Sequence, residues 1–339
     1  MRILFCSYHY LPSVGGVEKQ SHLLASMLQA RGHEVRVITT GKPNRQILDD
    51  VLIRRLPVST KGQASMALFA AQLNAAVVGQ ARFAQIIHMQ QALPPAATLA
   101  LTARMLGKKL VVTNHGSGVS GAMNVMRKLP FGRLGLRALR SAACVALTEE
   151  MAAEMRAQGL EPRAVIANGV EVPPGPFAKE RLAVFVGRLD AEKDLELLQR
   201  AAGLLRDAVI DVVGDGPVKL GEPLRLHGFS KDVPSWLSRA RVFALPSKSE
   251  GMSMALLEAM AHGCACVATD VGGNRALLDG GAGSLVPPGD AKAFARELQR
   301  LLDDPAAAAK LGEAARARVL AHYSASAMVD AYERLYESL

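Results

Sequence analysis

The sequence predicts an α/β protein built from two doubly wound parallel sheets. Three observations support this fold class: short apolar, β-rich runs alternate with helical stretches, a proline-rich segment interrupts the alternation once, and the alternation then restarts. The chain has 339 residues, which is enough for about two domains that each bury their own core.

The first half opens with an apolar strand, RILFCS at residues 2–7, and a helix from about Val17 to Ala30 that Gly32 ends. Further runs with the strand pattern lie at residues 34–40, 84–89, 109–114, 143–148 and 163–168. Because helical stretches separate these strands, we expect them to run parallel in one sheet.

A linker is predicted at residues 168–177, NGVEVPPGPF, because its three prolines cannot join a strand ladder or a helix interior. Strand patterns then return at residues 182–189, 208–215, 224–229, 241–247 and 265–270. Helical patterns close the chain at residues 291–303, 305–322 and 324–339. We therefore expect two Rossmann-like domains facing a cleft, at residues 1–172 and 173–322, with ligands beyond the carboxyl ends of the strands.

Composition excludes several classes of protein. Apolar residues make up 50% of the chain and charged residues 21%, a balance typical of soluble globular proteins. Four cysteines are too few for a disulfide scaffold, and the first residues lack the pattern of a signal peptide. The sequence contains no run of about 18 apolar residues. We expect a cytoplasmic protein rather than a secreted, membrane-spanning or disordered one.

The excess of positive over negative charge lies entirely in the first half of the chain. The net charge is +9, yet residues 1–175 carry 20 basic and 9 acidic groups, whereas residues 176–339 carry 20 and 22. Residues 51–148 include no Asp or Glu and twelve basic residues. This asymmetry predicts an anionic partner for the first half only.

The densest basic segment is VMRKLPFGRLGLRALR at residues 125–140. Its cations alternate with apolar residues, which predicts a basic amphipathic helix, broken near Pro130 and Gly132, on an anionic membrane or acceptor surface. Those cations are Arg127, Lys128, Arg133, Arg137 and Arg140. An ordinary surface helix with a solvated basic face is the alternative. Nucleic acid is disfavoured as a partner because aromatic residues make up only 4% of the chain and no binding motif interleaves them with the cations.

Glycines and cations follow two predicted strands. Gly15 and Gly16 precede the first helix, where glycine lets a ligand approach the backbone and the helix N-terminus favours an anion. Arg188 ends the strand at 182–189, and Lys193 comes five residues later near a helix start, an arrangement that suits a diphosphate. A simple turn and solvated cations are the alternatives.

The most informative segment is LPSKSEGMSMALLEAMAHG, which contains Glu250 after a strand and Glu258 eight residues later. Two helical turns separate them, so we expect both carboxylates near one side of the helix. Glu258 suits the two adjacent hydroxyls of a ribose, and its apolar neighbours indicate a half-buried position. Backbone N–H groups at the helix start come from Gly251, Met252 and Ser253.

Other signals are weaker. His115 follows the strand at 109–114, where it can donate a hydrogen bond to a substrate or serve as a structural histidine. Gly214 and Gly216 follow a strand, but Lys219 occupies the third position of the dinucleotide fingerprint, which is therefore not met. The sequence contains no Walker, HExxH or paired-cysteine zinc motif.

Together these motifs resemble the retaining glycosyltransferases of family 4, which have the GT-B fold. The resemblance spans essentially the whole chain and includes the Glu250–Glu258 spacing, E-x7-E, that the family has. The other segments that carry it are the Gly15-Gly16 loop with Glu18, NGV at 168–170, GRLDAEK at 187–193, VVGDGP at 212–217, LHGF at 226–229, VGGN at 271–274, LVPPGD at 285–290 and the AYERLY tail.

The resemblance implies roles for these residues. Gly16 would lie beside the donor diphosphate, which Arg188 and Lys193 would neutralise as it leaves. The backbone around Phe229 would contact the base. The helix at 323–339 would cross back to the first domain.

Further implied roles concern the donor sugar. Glu250 and His115 would contact the sugar, with the amides of Met252 and Ser253 close to it, and Glu258 would hold the ribose hydroxyls. The resemblance implies no metal and no cofactor, only a nucleotide-sugar co-substrate that we expect to be a UDP-sugar.

Two features depart from the family pattern. The family often has glycine after the Glu-Lys pair, whereas this chain has Asp194, which places an additional carboxylate near the expected diphosphate. The first half is also short and very basic, so acceptor specificity does not transfer.

The sequence thus predicts a hexosyltransferase that uses a nucleotide-sugar donor and a lipid-linked or anionic acceptor in surface polysaccharide, lipopolysaccharide or glycolipid synthesis. We expect it to lie peripherally on the cytoplasmic face of the membrane. The alternatives are a transferase with a soluble sugar or sugar-phosphate acceptor, an NAD-dependent oxidoreductase and a non-catalytic nucleotide-binding protein.

Overall fold

The computed structural model describes residues 1–13, 15–42, 45–58, 63–92, 94–116, 122–128 and 131–339. Two compact units are formed: Met1–Asn168 together with Ser326–Leu339, called unit 1, and Gly169–Ala325, called unit 2. These limits lie within a few residues of the predicted domain limits at 172/173 and 322/323.

The described residues of unit 1 form an eight-stranded sheet. Its strands are β1 (Arg2–Cys6), β2 (Glu34–Thr40), β3 (Arg45–Leu48), β4 (Val51–Leu56), β5 (Ile86–Met89), β6 (Lys109–Asn114), β7 (Ala143–Ala146) and β8 (Ala164–Val165). They lie in the order β3-β4-β2-β1-β5-β6-β7-β8, and every pair is parallel except β3 and β4. The central strands are almost completely buried, as expected for a parallel sheet covered on both faces.

Among the described residues of unit 1, six helices connect the strands: α1 (Gly16–Ala30), α2 (Gln63–Gly79), α3 (Pro94–Met105), α4 (Ala122–Lys128), α5 (Gly132–Leu139) and α6 (Glu149–Ala157). The predicted basic helix at 125–140 is thus two helices, with the break near Gly132 that the sequence predicts; Pro130 lies outside the described residues. The predicted strand at 143–148 ends early because Thr148 caps α6, accepting a 3.1 Å hydrogen bond from the Met151 N–H.

The antiparallel pair β3–β4 is absent from the predicted elements. Both strands lie within residues 45–56, and the turn between them places Asp49 and Asp50 at φ values of 48° and 60°. Aspartate tolerates this left-handed conformation, although the Asn-Gly signal typical of a hairpin is missing from the sequence. The segment therefore reads as a loop when only strand–helix alternation is considered.

Unit 2 contains a six-stranded, fully parallel sheet in the order β11-β10-β9-β12-β13-β14. These strands are β9 (Glu180–Val186), β10 (Ile210–Val213), β11 (Leu224–Gly228), β12 (Ala240–Leu245), β13 (Ala265–Thr269) and β14 (Ser284–Val286). The helices are α7 (Leu195–Ala202), α8 (Val233–Arg239), α9 (Met254–Ala261), α10 (Gly272–Leu278), α11 (Ala291–Asp303) and α12 (Pro305–His322). The sequence pattern missed the three-residue strand β14 because it is too short to show alternation.

The last helix, α13 (Ala325–Glu337), packs on unit 1 although it follows unit 2 in the chain. Its apolar face joins the core of unit 1 through Val329 and Leu335, among other residues. On the rim, the Arg31 guanidinium lies 2.5 Å from the Asp330 carboxylate and 2.7 Å from that of Glu333. The predicted crossing of this helix back to the first domain is confirmed.

Two tyrosines of α13 end in a buried polar cluster beneath β5 and β6. The Tyr336 hydroxyl lies 2.7 Å from Nδ1 of His88, and Nε2 of His88 lies 2.8 Å from the Thr113 hydroxyl. Thr113 in turn lies 2.9 Å from the Tyr332 hydroxyl. His88 is fully buried, and this burial lowers its pKa to about 3, so the ring is neutral and each ring nitrogen has one hydroxyl partner.

Replacing Tyr336 with phenylalanine is predicted to destabilise the protein by about 1–3 kcal/mol, because Nδ1 of His88 then loses its partner inside the core. Tyr323→Phe is the matched control, since its hydroxyl makes one longer bond, 3.2 Å, to the Ala276 carbonyl in a partly buried position. Chemical denaturation of both variants measures the difference. An equal loss in the two variants would contradict a special role for the His88 cluster.

Candidate functional site

The strand order of unit 2 defines where a ligand can bind. From β9 the chain proceeds to β10 on one side, and it later returns to β12 on the other side of β9. Such a reversal leaves a crevice at the carboxyl ends of the two central strands, which is where open α/β sheets bind their ligands. The loops after β9 and β12 are therefore the first candidates for the site.

Lys193 and Glu250 meet at this position. Lys193 ends a short 3₁₀ turn after β9, and Glu250 lies in the loop after β12. The Lys193 ammonium donates to Oε1 of Glu250 over 2.5 Å, and the Ser247 hydroxyl donates to the same oxygen over 2.6 Å. The side chains are only 19% and 9% exposed, so the two charges are largely removed from water. A charge pair in such a place is costly unless well bonded, which marks it as a candidate functional site.

The helical argument for the Glu250–Glu258 spacing is wrong. Helix α9 begins only at Met254, and the Ser253 side chain caps it by accepting from the Leu256 N–H over 3.3 Å. Glu250 lies in the loop after β12, as predicted, and precedes the helix, so a count of helical turns does not relate it to Glu258. Glu258 does lie in α9, and its predicted half-buried position is confirmed.

Glycines hold the loops of this site close together. A Cβ atom on Gly214 would lie 1.8 Å from the Gly187 carbonyl oxygen, and one on Gly273 would lie 1.9 Å from the Gly251 carbonyl oxygen. The Gly273 N–H also donates to the Glu250 carbonyl over 3.0 Å. The glycines of the VVGDGP and VGGN segments thus allow direct backbone contact, which explains them without a dinucleotide fingerprint.

Arg188 and Asp194 flank the Lys193 turn. The Arg188 side chain is 68% exposed, and its guanidinium lies 3.1 Å from the Asp190 carboxylate. Asp194 has a φ of 43°, a conformation that favours glycine, so the structure gives a backbone reason for a glycine preference at this position. The Asp194 carboxylate lies 3.5 Å from the ammonium of Lys248, which offsets the additional negative charge.

The remaining predicted residues of unit 2 surround these loops. Met252 and Ser253 are buried at the start of α9, and Gly251 packs against Gly273. Phe229 follows the edge strand β11 and is 54% exposed. Direct contact within the predicted set is therefore clearest for Lys193 and Glu250.

Unit 1 has its own reversal of strand order, between β1 and β5. The loop after β1 leads to Gly15, the extended residue before α1, and Gly16 is the first residue of the helix. The Glu18 carboxylate lies directly against Gly15: a Cβ atom added to Gly15 would lie 2.1 Å from Oε2 of Glu18. A carboxylate in the first turn is favourable because of the helix dipole.

His115 follows β6 at the same edge of the sheet, where β5 leads to Gln90. The imidazole is half-buried, and Nε2 lies 3.3 Å from Oε1 of Gln90. Burial lowers the pKa of His115 to about 4, so the ring is neutral near pH 7. Gln90 and Ser247 were not among the predicted site residues, although Gln90 directly follows the predicted strand at 84–89 and Ser247 ends the predicted strand at 241–247, which is a usable signal.

Neither a metal-binding cluster nor a membrane-spanning helix occurs among the described residues. Within them, no three His, Cys, Asp or Glu side chains lie close enough together to hold a metal ion. No helix of that part of the chain is both long and apolar enough to cross a bilayer. Cys264 and Cys266 are both buried in unit 2.

The class of protein follows from comparison with known families. Residues 14–172 match the family model described as Glycosyltransferase Family 4, and residues 180–304 match the one described as Glycosyl transferases group 1. The two matches span most of the chain, and the protein belongs to glycosyltransferase family 4. It is therefore a glycosyltransferase that uses a nucleotide-sugar.

Individual relatives agree with this family. The glycogen synthase of Mycobacterium tuberculosis is 26% identical, over 99% of this chain and 94% of that protein. The phosphatidyl-myo-inositol mannosyltransferase of Mycolicibacterium smegmatis is 28% identical, over 100% of this chain and 94% of that protein. The crystal structure of Anabaena Alr3699/HepE in complex with UDP-glucose matches with a TM-score of 0.80 at 16% identity, covering 99% of both chains. That likeness confirms the predicted GT-B fold.

Lys193→Ala and Arg188→Ala are each predicted to lower turnover by about 10²-fold, the scale of losing one preorganised donor to a leaving group. Lys193→Ala is also expected to lower the melting temperature, because Glu250 then loses its cation in a largely buried position. Initial rates with a nucleotide-sugar, together with thermal unfolding, measure both effects.

The matched control for the lysine variant is Lys248→Ala. Lys248 also faces a carboxylate in these loops, but its side chain is 60% exposed, so its ion pair contributes little. A loss of turnover below threefold for both Lys193→Ala and Arg188→Ala would contradict the phosphate role.

Proposed function

We propose that the protein is a retaining, metal-independent glycosyltransferase that transfers a sugar from a UDP-sugar to a membrane-associated or anionic acceptor in surface polysaccharide or glycolipid synthesis. The observation that carries the proposal is the contact between Lys193 and Glu250 at the strand reversal of unit 2. This contact brings together a cation, which can bind a phosphate, and a carboxylate, which can accept hydrogen bonds from sugar hydroxyls.

In this proposal Lys193 and Arg188 neutralise the leaving diphosphate, which is the task a metal ion performs in other transferases. The Arg188 guanidinium is largely exposed, and its fork of N–H donors matches the geometry of a phosphate. Glu258 accepts from the ribose hydroxyls, and the backbone beside Phe229 meets the base. The glycine contacts hold the loops that carry Arg188 and Glu250, so little reorganisation of these loops is needed during the reaction.

The reaction exchanges two carbon–oxygen bonds at the anomeric carbon. The acceptor hydroxyl attacks from the face that the nucleotide leaves, a new C–O bond to the acceptor forms, and the bond to the β-phosphate oxygen breaks. The hydroxyl proton passes to the departing phosphate oxygen, so no protein base is consumed and configuration is retained. Glu250 and His115 hold the sugar, and the Gly15-Gly16 turn leaves room for the acceptor.

UDP is the proposed nucleotide because the matched Anabaena protein was crystallised with UDP-glucose. The proposed lipid-linked acceptor is supported by the name of the mycolicibacterial relative, a phosphatidyl-myo-inositol mannosyltransferase. A non-membrane carbohydrate acceptor is the second candidate, and the name of the mycobacterial relative, glycogen synthase, favours it.

The surface formed by α4 and α5 supports the membrane-associated acceptor. Arg127, Lys128, Arg133 and Arg137 are exposed there, and so are two large apolar side chains, Phe131 at 85% and Leu134 at 62%. Cations interleaved with exposed apolar groups match an anionic lipid surface, where each cation contributes about 1 kcal/mol.

Other residues near α4 and α5 also support contact with an anionic lipid surface. Arg140 has a structural task as well, since its Nε donates to the Gly159 carbonyl over 3.0 Å. Helix α3, which packs against α5, adds exposed Leu101 and Met105 to the same half of the chain. Since residues 51–148 contain no carboxylate, nothing within that segment repels an anionic surface. A peripheral position on the cytoplasmic face of a membrane follows from this proposal.

A panel of nucleotides tests the donor. Thermal unfolding with UDP, GDP, ADP, dTDP and NAD at millimolar levels is predicted to shift with UDP, since a ligand at 100 times its dissociation constant stabilises by about 2.7 kcal/mol. Glu258→Gln is expected to weaken the UDP shift, because the neutral amide is a poorer acceptor for a ribose diol. A shift with NAD alone, or an unchanged UDP affinity in Glu258→Gln, would overturn the assignment.

Vesicle sedimentation tests the acceptor surface. We expect anionic vesicles, but not zwitterionic ones, to retain the protein at low salt, and the double variant Arg133→Glu/Arg137→Glu to lose retention. The matched control is Arg206→Glu/Arg296→Glu, which changes two exposed arginines of unit 2 by the same charge. No retention of the native protein would favour the non-membrane acceptor instead.

A further inference from the structure

The buried polar cluster of His88, Thr113, Tyr332 and Tyr336 in unit 1, called the His88 cluster, extends beyond the core toward His115. Gln90, which is only 1% exposed, follows β5 and lies between the buried ring of His88 and the half-buried ring of His115. Its amide nitrogen lies 3.3 Å from both ring nitrogens of His88, and its amide oxygen lies 3.3 Å from Nε2 of His115. One side chain thus connects the core cluster to a predicted substrate residue.

We propose that Gln90 is a positioning residue: it accepts a hydrogen bond from Nε2–H of His115 and holds this imidazole in one neutral tautomer, which leaves Nδ1 as the acceptor for a sugar hydroxyl of the substrate. The inference rests on the proposed function, in which His115 contacts a sugar. It assigns to Gln90, and to His88 behind it, a task that the sequence motifs do not suggest.

The orientation of the Gln90 amide follows from its surroundings. Equal distances to the two ring nitrogens of His88 place the amide nitrogen against the ring face rather than along one lone pair. Both ring nitrogens already have closer partners, the hydroxyls of Tyr336 and Thr113. The negative face of an aromatic ring attracts an N–H group and repels a carbonyl oxygen, so the amide presents its oxygen to His115.

The tautomer of His115 follows from that orientation. An amide oxygen only accepts, so Nε2 of His115 carries the proton, and in a neutral ring Nδ1 then has a lone pair. Burial keeps His115 neutral, as described above, and so the ring cannot act as a cation toward the leaving group. Its contact with a sugar is therefore acceptance of a hydrogen bond rather than donation, opposite to the role the sequence predicts.

Helix α13 holds the far end of this chain of contacts. Tyr336 fixes Nδ1 of His88, and Tyr332 fixes Thr113, which in turn holds Nε2 of His88. The ring of His88 therefore cannot rotate without breaking buried hydrogen bonds, and the amide that lies against it is fixed as well.

Nitrogen NMR of the His115 imidazole tests the tautomer directly and does not depend on catalysis. We expect the native protein to show a neutral ring protonated at Nε2 between pH 6 and 8, with the signal assigned by its loss in His115→Ala. Gln90→Leu is expected to give a mixture of tautomers, and Gln90→Met serves as a second variant of similar volume if the leucine variant folds poorly. The matched control is Gln80→Leu, which removes an amide acceptor, 2.7 Å from Arg36, elsewhere in unit 1.

Turnover then tests the positioning role. Gln90→Leu is expected to lower kcat about tenfold, the scale on which the orienting partner of a functional histidine matters. In a His115→Ala background the same change is expected to cost less than twofold, because Gln90 acts through His115. A native ring protonated at Nδ1, or an equal loss in both backgrounds, would overturn the inference. If His115→Ala leaves turnover unchanged while the native tautomer is as expected, the sugar contact fails and the Gln90 contact stands.

Discussion

The contact between Lys193 and Glu250 is the interaction on which the proposed chemistry depends. It joins the loops after β9 and β12 at the strand reversal, where the sheet leaves a crevice. Ser247 supports Glu250 from the strand side, and the Gly273–Gly251 backbone contact fixes the Glu250 loop from the other side. An incoming diphosphate competes with the Glu250 carboxylate for the Lys193 ammonium. We infer that this exchange of partners frees the carboxylate for sugar hydroxyls as the nucleotide binds.

In unit 1, hydrogen bonds between neutral groups hold His115, the residue predicted to contact the substrate. Among the described residues of unit 1, the side chains hydrogen-bonded to one another at the carboxyl ends of β5 and β6 are neutral imidazoles, an amide and hydroxyls. Neutral groups suit the hydroxyls of a sugar, whereas the cations after β9 suit phosphate. The tyrosines of α13 complete this neutral cluster, so the last helix contributes to the site region of unit 1 and not only to its core.

The sequence was sufficient where local chemistry decides the structure. The predicted helices Ala291–Asp303 and Pro305–His322 match the observed α11 and α12 because each follows an aspartate cap, Asp290 or Asp304. The sequence was insufficient where tertiary contacts decide the structure. The hairpin at residues 45–56 lacks a typical turn signal and was not predicted. The argument that two helical turns separate Glu250 from Glu258 was wrong because the helix begins only after the Glu250 loop. The strand-end positions of Ser247 and Gln90 can be read from the sequence, but the contact of Gln90 with His115 joins the ends of two different strands, so no local pattern could have assigned it.

The most direct test of the central claim is the affinity of Glu250→Gln for UDP, measured by titration calorimetry beside the native protein. If Lys193 exchanges the carboxylate for the diphosphate, removing the competing charge leaves UDP binding equal or tighter, while turnover falls because the sugar loses an acceptor. A tenfold weaker affinity, about 1.4 kcal/mol, would contradict the account. It would mean that Glu250 holds Lys193 in place for the nucleotide instead of competing with it.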